Sequence, residues 1–187
     1  MREGWCVWIT GLPGSGKSVT SEALLRLLEH KGIIAQILSS DALRKILTPN
    51  PTYSLEERDI VYATLVYIAE LLTKNGVNVI IDATGNLRRY REAAREKIQN
   101  FIEVYLCCPL EICMARESNR TRTYGAPAKI YEKALRGETL TVPGVGQPYE
   151  APLNPEVIID TSTLTPEQAA EKILNAILEK CSQKNEV

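Results

Sequence analysis

Apolar positions along the chain fall into short unbroken runs, separated by longer stretches in which they recur every three or four residues. The runs at 5–10, 33–38, 77–82, 101–106 and 156–160 predict strands, and the periodic stretches predict helices over 16–31, within 41–47 and 54–75, and over 87–99, 109–117 and 165–181. Strand and helix alternate, which is the signature of a parallel sheet. Segments such as Val77-Asn-Val-Ile-Ile81 and Val157-Ile-Ile159 are nearly all apolar, as strands covered on both faces need to be. With right-handed crossovers the predicted fold is α/β, a three-layer α/β/α sandwich with a parallel sheet, and 187 residues suit a single domain spanning 1–187.

Local chemistry agrees with these boundaries. Ser54-Leu-Glu-Glu57 and Thr165-Pro-Glu-Gln168 have the spacing of capping boxes, the second with Pro166 at the first helical position. Ala169, Ala170, Ile173, Leu174, Ile177 and Leu178 recur at helical spacing and read as a core-facing stripe. The segments 118–127 and 138–155, rich in glycine, proline and polar residues, read as functional loops, and the tail from Ser182 is expected to fray.

The first predicted strand runs directly into Gly11-Leu-Pro-Gly-Ser-Gly-Lys-Ser18, which fits the pattern G-x-x-x-x-G-K-S/T. A buried strand launches a tight loop, the glycines let backbone N–H groups turn inward, and a helix N-terminus faces the phosphates. Gly11, Leu12, Pro13, Gly14, Ser15, Gly16, Lys17, Ser18 and Val19 are therefore the expected binding residues for a nucleoside triphosphate. Lys17 would reach the β- and γ-phosphates as a point charge, and the Ser18 hydroxyl would ligate Mg²⁺.

Composition narrows the partners. The chain carries 22 basic and 23 acidic residues, a net charge of −1, so no positive field argues for nucleic acid or an anionic membrane, and a small-molecule substrate fits better. No apolar stretch approaches the ~18 residues of a membrane span, and Met1-Arg-Glu3 leads straight into a strand, so a cytoplasmic protein is expected. Five cysteines, an odd number in apolar surroundings, imply a reducing compartment, and Cys107, Cys108 and Cys113 lack zinc-site spacing. The single histidine, His30, reads as a favourable charge at a helix C-terminus.

In an open parallel sheet ligands collect at the carboxyl ends of the strands. The second predicted strand leads into Ser39-Ser40-Asp41 and then Arg44, and the third ends in Asp82-Ala-Thr-Gly-Asn86, followed by Arg88, Arg89 and Arg91. Phosphoryl transfer needs an acceptor hydroxyl held in line, a group to take or orient its proton, and cations against the developing charge. Asp41 is the candidate base, with a helix N-cap as its alternative role, and Asp82 the candidate acid behind Mg²⁺; the two assignments are exchangeable. Arg116, Arg120 and Arg122 suit a flap that closes over phosphates. Arg44 and Arg58 suit an anionic acceptor, although Arg58 would equally pair with a glutamate on an exposed helix face.

Together these residues resemble the adenylylsulfate (APS) kinase family, over most of the chain. The phosphate loop matches, Ser40-Asp41-Ala-Leu-Arg44 resembles its G-D-x-x-R segment, and Tyr53-Ser-Leu-Glu-Glu-Arg58 its F-S-x-E-D-R segment. Ile130-Tyr-Glu-Lys-Ala-Leu-Arg-Gly-Glu138, Gly144, Pro148-Tyr-Glu-Ala-Pro152, Asn154-Pro155 and Asp160-Thr161 continue the pattern. The resemblance implies a P-loop kinase fold, transfer of the ATP γ-phosphoryl group to the 3′-hydroxyl of APS with Mg²⁺, a role in sulfate assimilation, and commonly a homodimer. Arg44 and Arg58 match positions that hold the acceptor there, and Asp41 matches its hydroxyl-activating aspartate; the expected substrate-binding set is Asp41, Arg44, Arg58, Asp82, Thr84, Lys129 and Val145, with Lys17 and Asp41 as the expected catalytic pair.

Departures from the family pattern cluster on the acceptor side. Val61 stands where an asparagine is expected, and Val142-Pro-Gly-Val145 replaces F-T-G-I, which removes an aromatic ring expected against the adenine. Asp82-Ala-Thr-Gly-Asn86 replaces a serine-containing segment, and 118–127 resembles an insertion. A kinase for another small hydroxyl compound, a sugar or an anionic alcohol, stays open on these grounds, as does a nucleotide-hydrolysing switch, although an N-K-x-D motif for guanine is absent from the sequence.

Overall fold

The computed structural model describes residues 3–182. The expected fraying beyond Ser182 lies outside the described residues. The order is β1 (Cys6–Thr10), α1 (Lys17–His30), β2 (Ala35–Ser39), α2 (Ser40–Leu47), α3 (Leu55–Lys74), β3 (Asn78–Asp82), α4 (Arg88–Lys97), β4 (Phe101–Cys107), α5 (Leu110–Asn119), α6 (Ile130–Leu135), β5 (Val157–Asp160) and α7 (Pro166–Ser182). The strands form one sheet in the order β2-β3-β1-β4-β5, with every pair parallel. Cys6 lies in register with Val79 on one side and Phe101 on the other, so β1 is the central strand.

Side-chain alternation along β1 divides the core between two helical layers. Val7 and Ile9 pack with Leu24 and Leu28 of α1 and Ile173, Leu174 and Ile177 of α7. Cys6 and Trp8 pack on the opposite face with Tyr62, Leu65 and Ala69 of α3 and Tyr90 and Ala94 of α4. Each large apolar side chain so buried contributes about 1.5–3 kcal/mol relative to exposure. In the predicted α7 stripe Ile173, Leu174 and Ile177 are buried, while Leu178 is 44% exposed at its edge. A third apolar cluster, built on Cys108, Cys113, Tyr131 and Val142, lies beneath the phosphate loop through Leu12. All five cysteines are free thiols.

Two local expectations change. Thr165 and Gln168 form the full reciprocal capping box, at 3.0 and 3.3 Å. At α3 only half of the box forms: Ser54 Oγ accepts the Glu57 N–H at 3.2 Å, but the Glu57 carboxylate turns away to Arg44 and to the Thr52 and Tyr53 amides. The six-residue α6 falls in a stretch left unassigned between the two predicted loops, because a helix that short shows less than two full turns of period.

Arg91, one of three arginines noted after β3, is a scaffold group. It is 1% exposed, pairs with Glu103 of β4 at 2.6 Å, and donates to the Gly85 and Glu150 carbonyls. It thereby ties the turn after β3 to β4 and to the loop before β5. The same corner is held by Glu156, whose carboxylate accepts from Arg95 of α4, the Glu103 backbone N–H and Lys180 of α7. Partial burial raises the Glu156 pKa, but these donors outweigh it and pull the group from 4.5 down to about 2. A depressed carboxylate contributes stability above its unfolded pKa and loses it as pH falls through the folded one. We expect Glu156→Gln to destabilise the protein by about 1 kcal/mol at pH 7. Urea unfolding should show the gap to wild type closing between pH 4.5 and about 2.

Candidate active site

The carboxyl ends of β1, β2 and β3 open on one cleft, a cavity of about 450 Å³. β1 forms its floor: the chain leaves Thr10 through the glycine loop and enters α1 at Lys17, with Gly16 as the residue before the helix at φ 97°. The loop closes on itself by the Ser15 N–H to Leu12 carbonyl bond of 3.0 Å. Lys17 Nζ donates to the Gly11 and Leu12 carbonyls at 3.1 and 3.0 Å, which holds the ammonium inside the loop. Two side chains brace the loop from behind. Tyr131 of α6 donates its hydroxyl to the Pro13 carbonyl at 2.9 Å, and Thr161, just after β5, donates to the Ser15 carbonyl at 2.9 Å.

Two acids face this ammonium. Asp82 ends β3, and the nearby Ser18 hydroxyl helps to hold its pKa down against burial. Asp41 lies in the first turn of α2, where Ser39 is the N-cap, its hydroxyl accepting the Ala42 N–H at 3.3 Å. Asp41 is therefore not the cap and its side chain is left to line the cleft. Burial raises the pKa of both acids, and Lys17 is the main charge opposing that rise. Burial in turn lowers the Lys17 pKa, opposed by Asp82 and Asp41. The three groups form one electrostatic unit in which the ammonium compensates two carboxylates withdrawn from water.

The wall beyond Asp41 is arginine and tyrosine. Arg44 is 5% exposed, pairs with Glu57, and stacks on the Tyr53 ring at 4.6 Å, with Tyr53 at φ 56°. Arg58 is 6% exposed and donates to the Tyr53 carbonyl, Asn86 Oδ1 and the Thr141 carbonyl at 3.1, 3.2 and 2.6 Å. It is neither an exposed helix residue nor a partner of glutamate: it clamps α3 to the two loops that border the cleft. Thr84 lines the cleft, its carbonyl accepting the Thr10 hydroxyl at 2.5 Å.

Arg116, Arg120 and Arg122 all reach the cleft wall. Arg116 donates to the Thr161 carbonyl at 2.7 Å, Arg120 to the Pro127 carbonyl, and Arg122 pairs with Glu22 of α1 at 2.8 Å. Of the expected acceptor set, Lys129 and Val145 do not join the others. Lys129 sits at the exposed start of α6 with φ 56°, paired with Glu132 at 3.5 Å. Val145 lies in a tight turn, 39% exposed, beside a separate surface hollow with Leu12 and Leu110; Val142 of the same segment takes the place in the cleft wall. Tyr131, Thr161, Asn86 and Glu57 act as supports that spacing alone does not reveal, although all four fall inside or beside the quoted segments.

A model of the adenylylsulphate kinase family matches residues 3–160. The chain belongs to the adenylylsulfate kinase family. It is 38% identical over 172 residues to a probable adenylyl-sulfate kinase of Pyrococcus abyssi, covering 92% of this chain and 94% of that one. It is 36% identical over 178 residues to the adenylyl-sulfate kinase of Microcystis aeruginosa, covering 95% and 93%. The fold is similar to that of the APS kinase of Mycobacterium tuberculosis in complex with AMPPNP and APS, with a TM-score of 0.84, 31% identity, and 96% and 99% of the two chains covered. Against the adenylylsulfate kinase pattern, Val61 is fully buried in α3 and Val142 is 5% exposed, so both replacements are buried aliphatic residues, and Val142 lines the cleft.

The backbone of the loop is testable by itself. Gly14 has φ 84°, and a Cβ there would run into the Cys113 carbonyl; Gly32 has φ 71° with nothing within 4 Å of a Cβ. Both alanine variants carry the left-handed strain, but only Gly14→Ala displaces the phosphate loop from α5. We expect Gly14→Ala to weaken nucleoside triphosphate binding by about tenfold or more and Gly32→Ala to leave it unchanged, read by calorimetric titration. Equal effects would contradict this.

Proposed function

We propose that this chain transfers the γ-phosphoryl group of ATP to the 3′-hydroxyl of adenylylsulfate, giving ADP and 3′-phosphoadenylylsulfate, with Mg²⁺. The observation that carries the reading is the line Lys17, Asp82, Asp41, Arg44, which leads from the phosphate loop to a cationic wall through two carboxylates. In the transfer the 3′-oxygen bonds to the γ-phosphorus while the bond to the β-bridging oxygen breaks, and the hydroxyl proton passes to Asp41. Burial raises the Asp41 pKa and makes it a stronger base, and the Lys17 charge opposes that rise. The loop amides and the Lys17 ammonium take the charge that moves onto the β-phosphate, fixed in place before the reaction begins.

The Ser18 hydroxyl beside the buried Asp82 carboxylate is an all-oxygen pair that fits a hard divalent cation retaining several waters. Mg²⁺ held there would neutralise the β- and γ-oxygens. The arginines of 116–122 would close over the phosphates and exclude water. A homodimer as working unit and a cytoplasmic location belong to the same proposal, the second supported by five unpaired thiols.

One feature favours a second reading, a kinase for a different small hydroxyl compound: the aliphatic Val142 in the cleft wall where the family pattern has a ring. A coupled ADP-release assay over a panel of alcohols, with a control lacking acceptor, separates the readings. We expect strong stimulation by adenylylsulfate alone; stimulation only by another alcohol would transfer the assignment to that compound, and release without any acceptor would favour a hydrolytic switch. Asp41→Asn should lower kcat by about 10²–10⁴ with little change in ATP affinity, and wild-type turnover in that variant would remove Asp41 from the chemistry.

A further inference from the structure

Val142 leaves the acceptor side without the ring that the family pattern carries there, and the insertion-like segment between α5 and α6 brings a ring to the same cleft from another direction. Tyr124 of that segment lines the cavity. It occupies the first central position of the turn Thr123–Ala126, closed by the Ala126 N–H to Thr123 carbonyl bond of 3.0 Å. Tyr124 and Gly125 have φ 55° and 92°, so both central residues are left-handed, as in a type I′ turn. Asparagine or glycine fits the first of these positions without strain, and a bulky ring there is unusual. Backbone strain of this kind persists where the surroundings impose it, and it clusters at ligand sites.

The surroundings here are specific. A Cβ built on Gly125 would stand 3.1 Å from Lys45 Nζ and 3.9 Å from the Asp41 Cβ, which sets the turn directly over α2 and beside the candidate base. The Arg122 guanidinium covers one face of the Tyr124 ring at 4.2 Å and is itself tied to Glu22 of α1 at 2.8 Å. Arg120, bonded to the Pro127 carbonyl, closes the base of the segment. The ring is thus backed by a cation on one face, and its segment is bracketed between α1 and α2.

We propose that Tyr124 is an acceptor-specificity residue, the platform on which the purine of the acceptor stacks in place of the missing ring at position 142. This rests on the acceptor being adenylylsulfate. Base-on-aromatic stacking is tolerant of the direction from which the ring arrives, because only the two faces have to meet. The insertion therefore substitutes for the lost contact without any change in the phosphate-transfer line from Lys17 to Asp41.

The test compares wild type, Tyr124→Phe, Tyr124→Ala and Tyr124→Gly by steady-state kinetics with adenylylsulfate and ATP, together with thermal unfolding. Tyr124→Phe keeps the ring and should keep KM for adenylylsulfate. Tyr124→Ala and Tyr124→Gly should raise that KM about tenfold or more and leave KM for ATP within about twofold. Tyr124→Gly also relieves the left-handed strain, so its Tm should not fall, which separates loss of the platform from loss of structure. If wild type turns over adenylylsulfate and Tyr124→Gly does so with the same KM, or if both KM values rise together, this proposal fails while the proposed activity stands. If wild type shows no saturable dependence on adenylylsulfate, both fail.

Discussion

An ammonium group shared between two carboxylates sets the demands on the rest of this molecule. Lys17 belongs to the first turn of α1, Asp41 to the first turn of α2 and Asp82 to the end of β3, so the three meet only if β1, β2 and β3 stand in register with their carboxyl ends level. Burial pushes the pKa of each acid up and the lysine opposes that rise; burial pushes the lysine down and the acids oppose that fall. Breaking one member therefore leaves the others unbalanced, which is why the sheet, the helix starts and the loop must be specified together.

The second demand is rigidity around a loop with glycine at three of its eight positions. Glycines permit the backbone path but bring conformational freedom that a binding site must remove. The removal comes from outside: Tyr131 and Thr161 hold the Pro13 and Ser15 carbonyls, and Arg116 holds Thr161 in turn. Arginines that look like ligands for anions do much of this work. Arg58 fixes three segments by backbone and amide contacts, and Arg91 pairs with Glu103 in the interior, where loss of either partner would leave a buried charge at a cost of about 3–5 kcal/mol.

The layers, the parallel sheet and the phosphate loop were legible because each depends on periodicity or on a short contiguous motif. Asp41 and Asp82 were legible by position, since acids directly after buried strands must fall at the carboxyl edge of the sheet. What was not legible depends on where a side chain turns once distant segments meet. Glu57 has the spacing of a cap but serves Arg44, and Lys129 and Val145 sit inside matching segments yet point away from the cleft. Tyr124 carried no signal in a segment read only as a loop, because its place follows from a turn whose two central residues are left-handed. The short α6 was hidden for a simpler reason, its length of six residues.

The proposed chemistry runs along a single line from the glycine loop to Asp41. A crystal structure with a non-hydrolysable ATP analogue and adenylylsulfate bound together tests it most directly. The account predicts the terminal phosphate within reach of Lys17 Nζ and the 3′-hydroxyl about 2.6–3.2 Å from the Asp41 carboxylate, in line with the γ-phosphorus. An acceptor hydroxyl bound on another wall of the cleft, with Asp41 facing away from it, would contradict it.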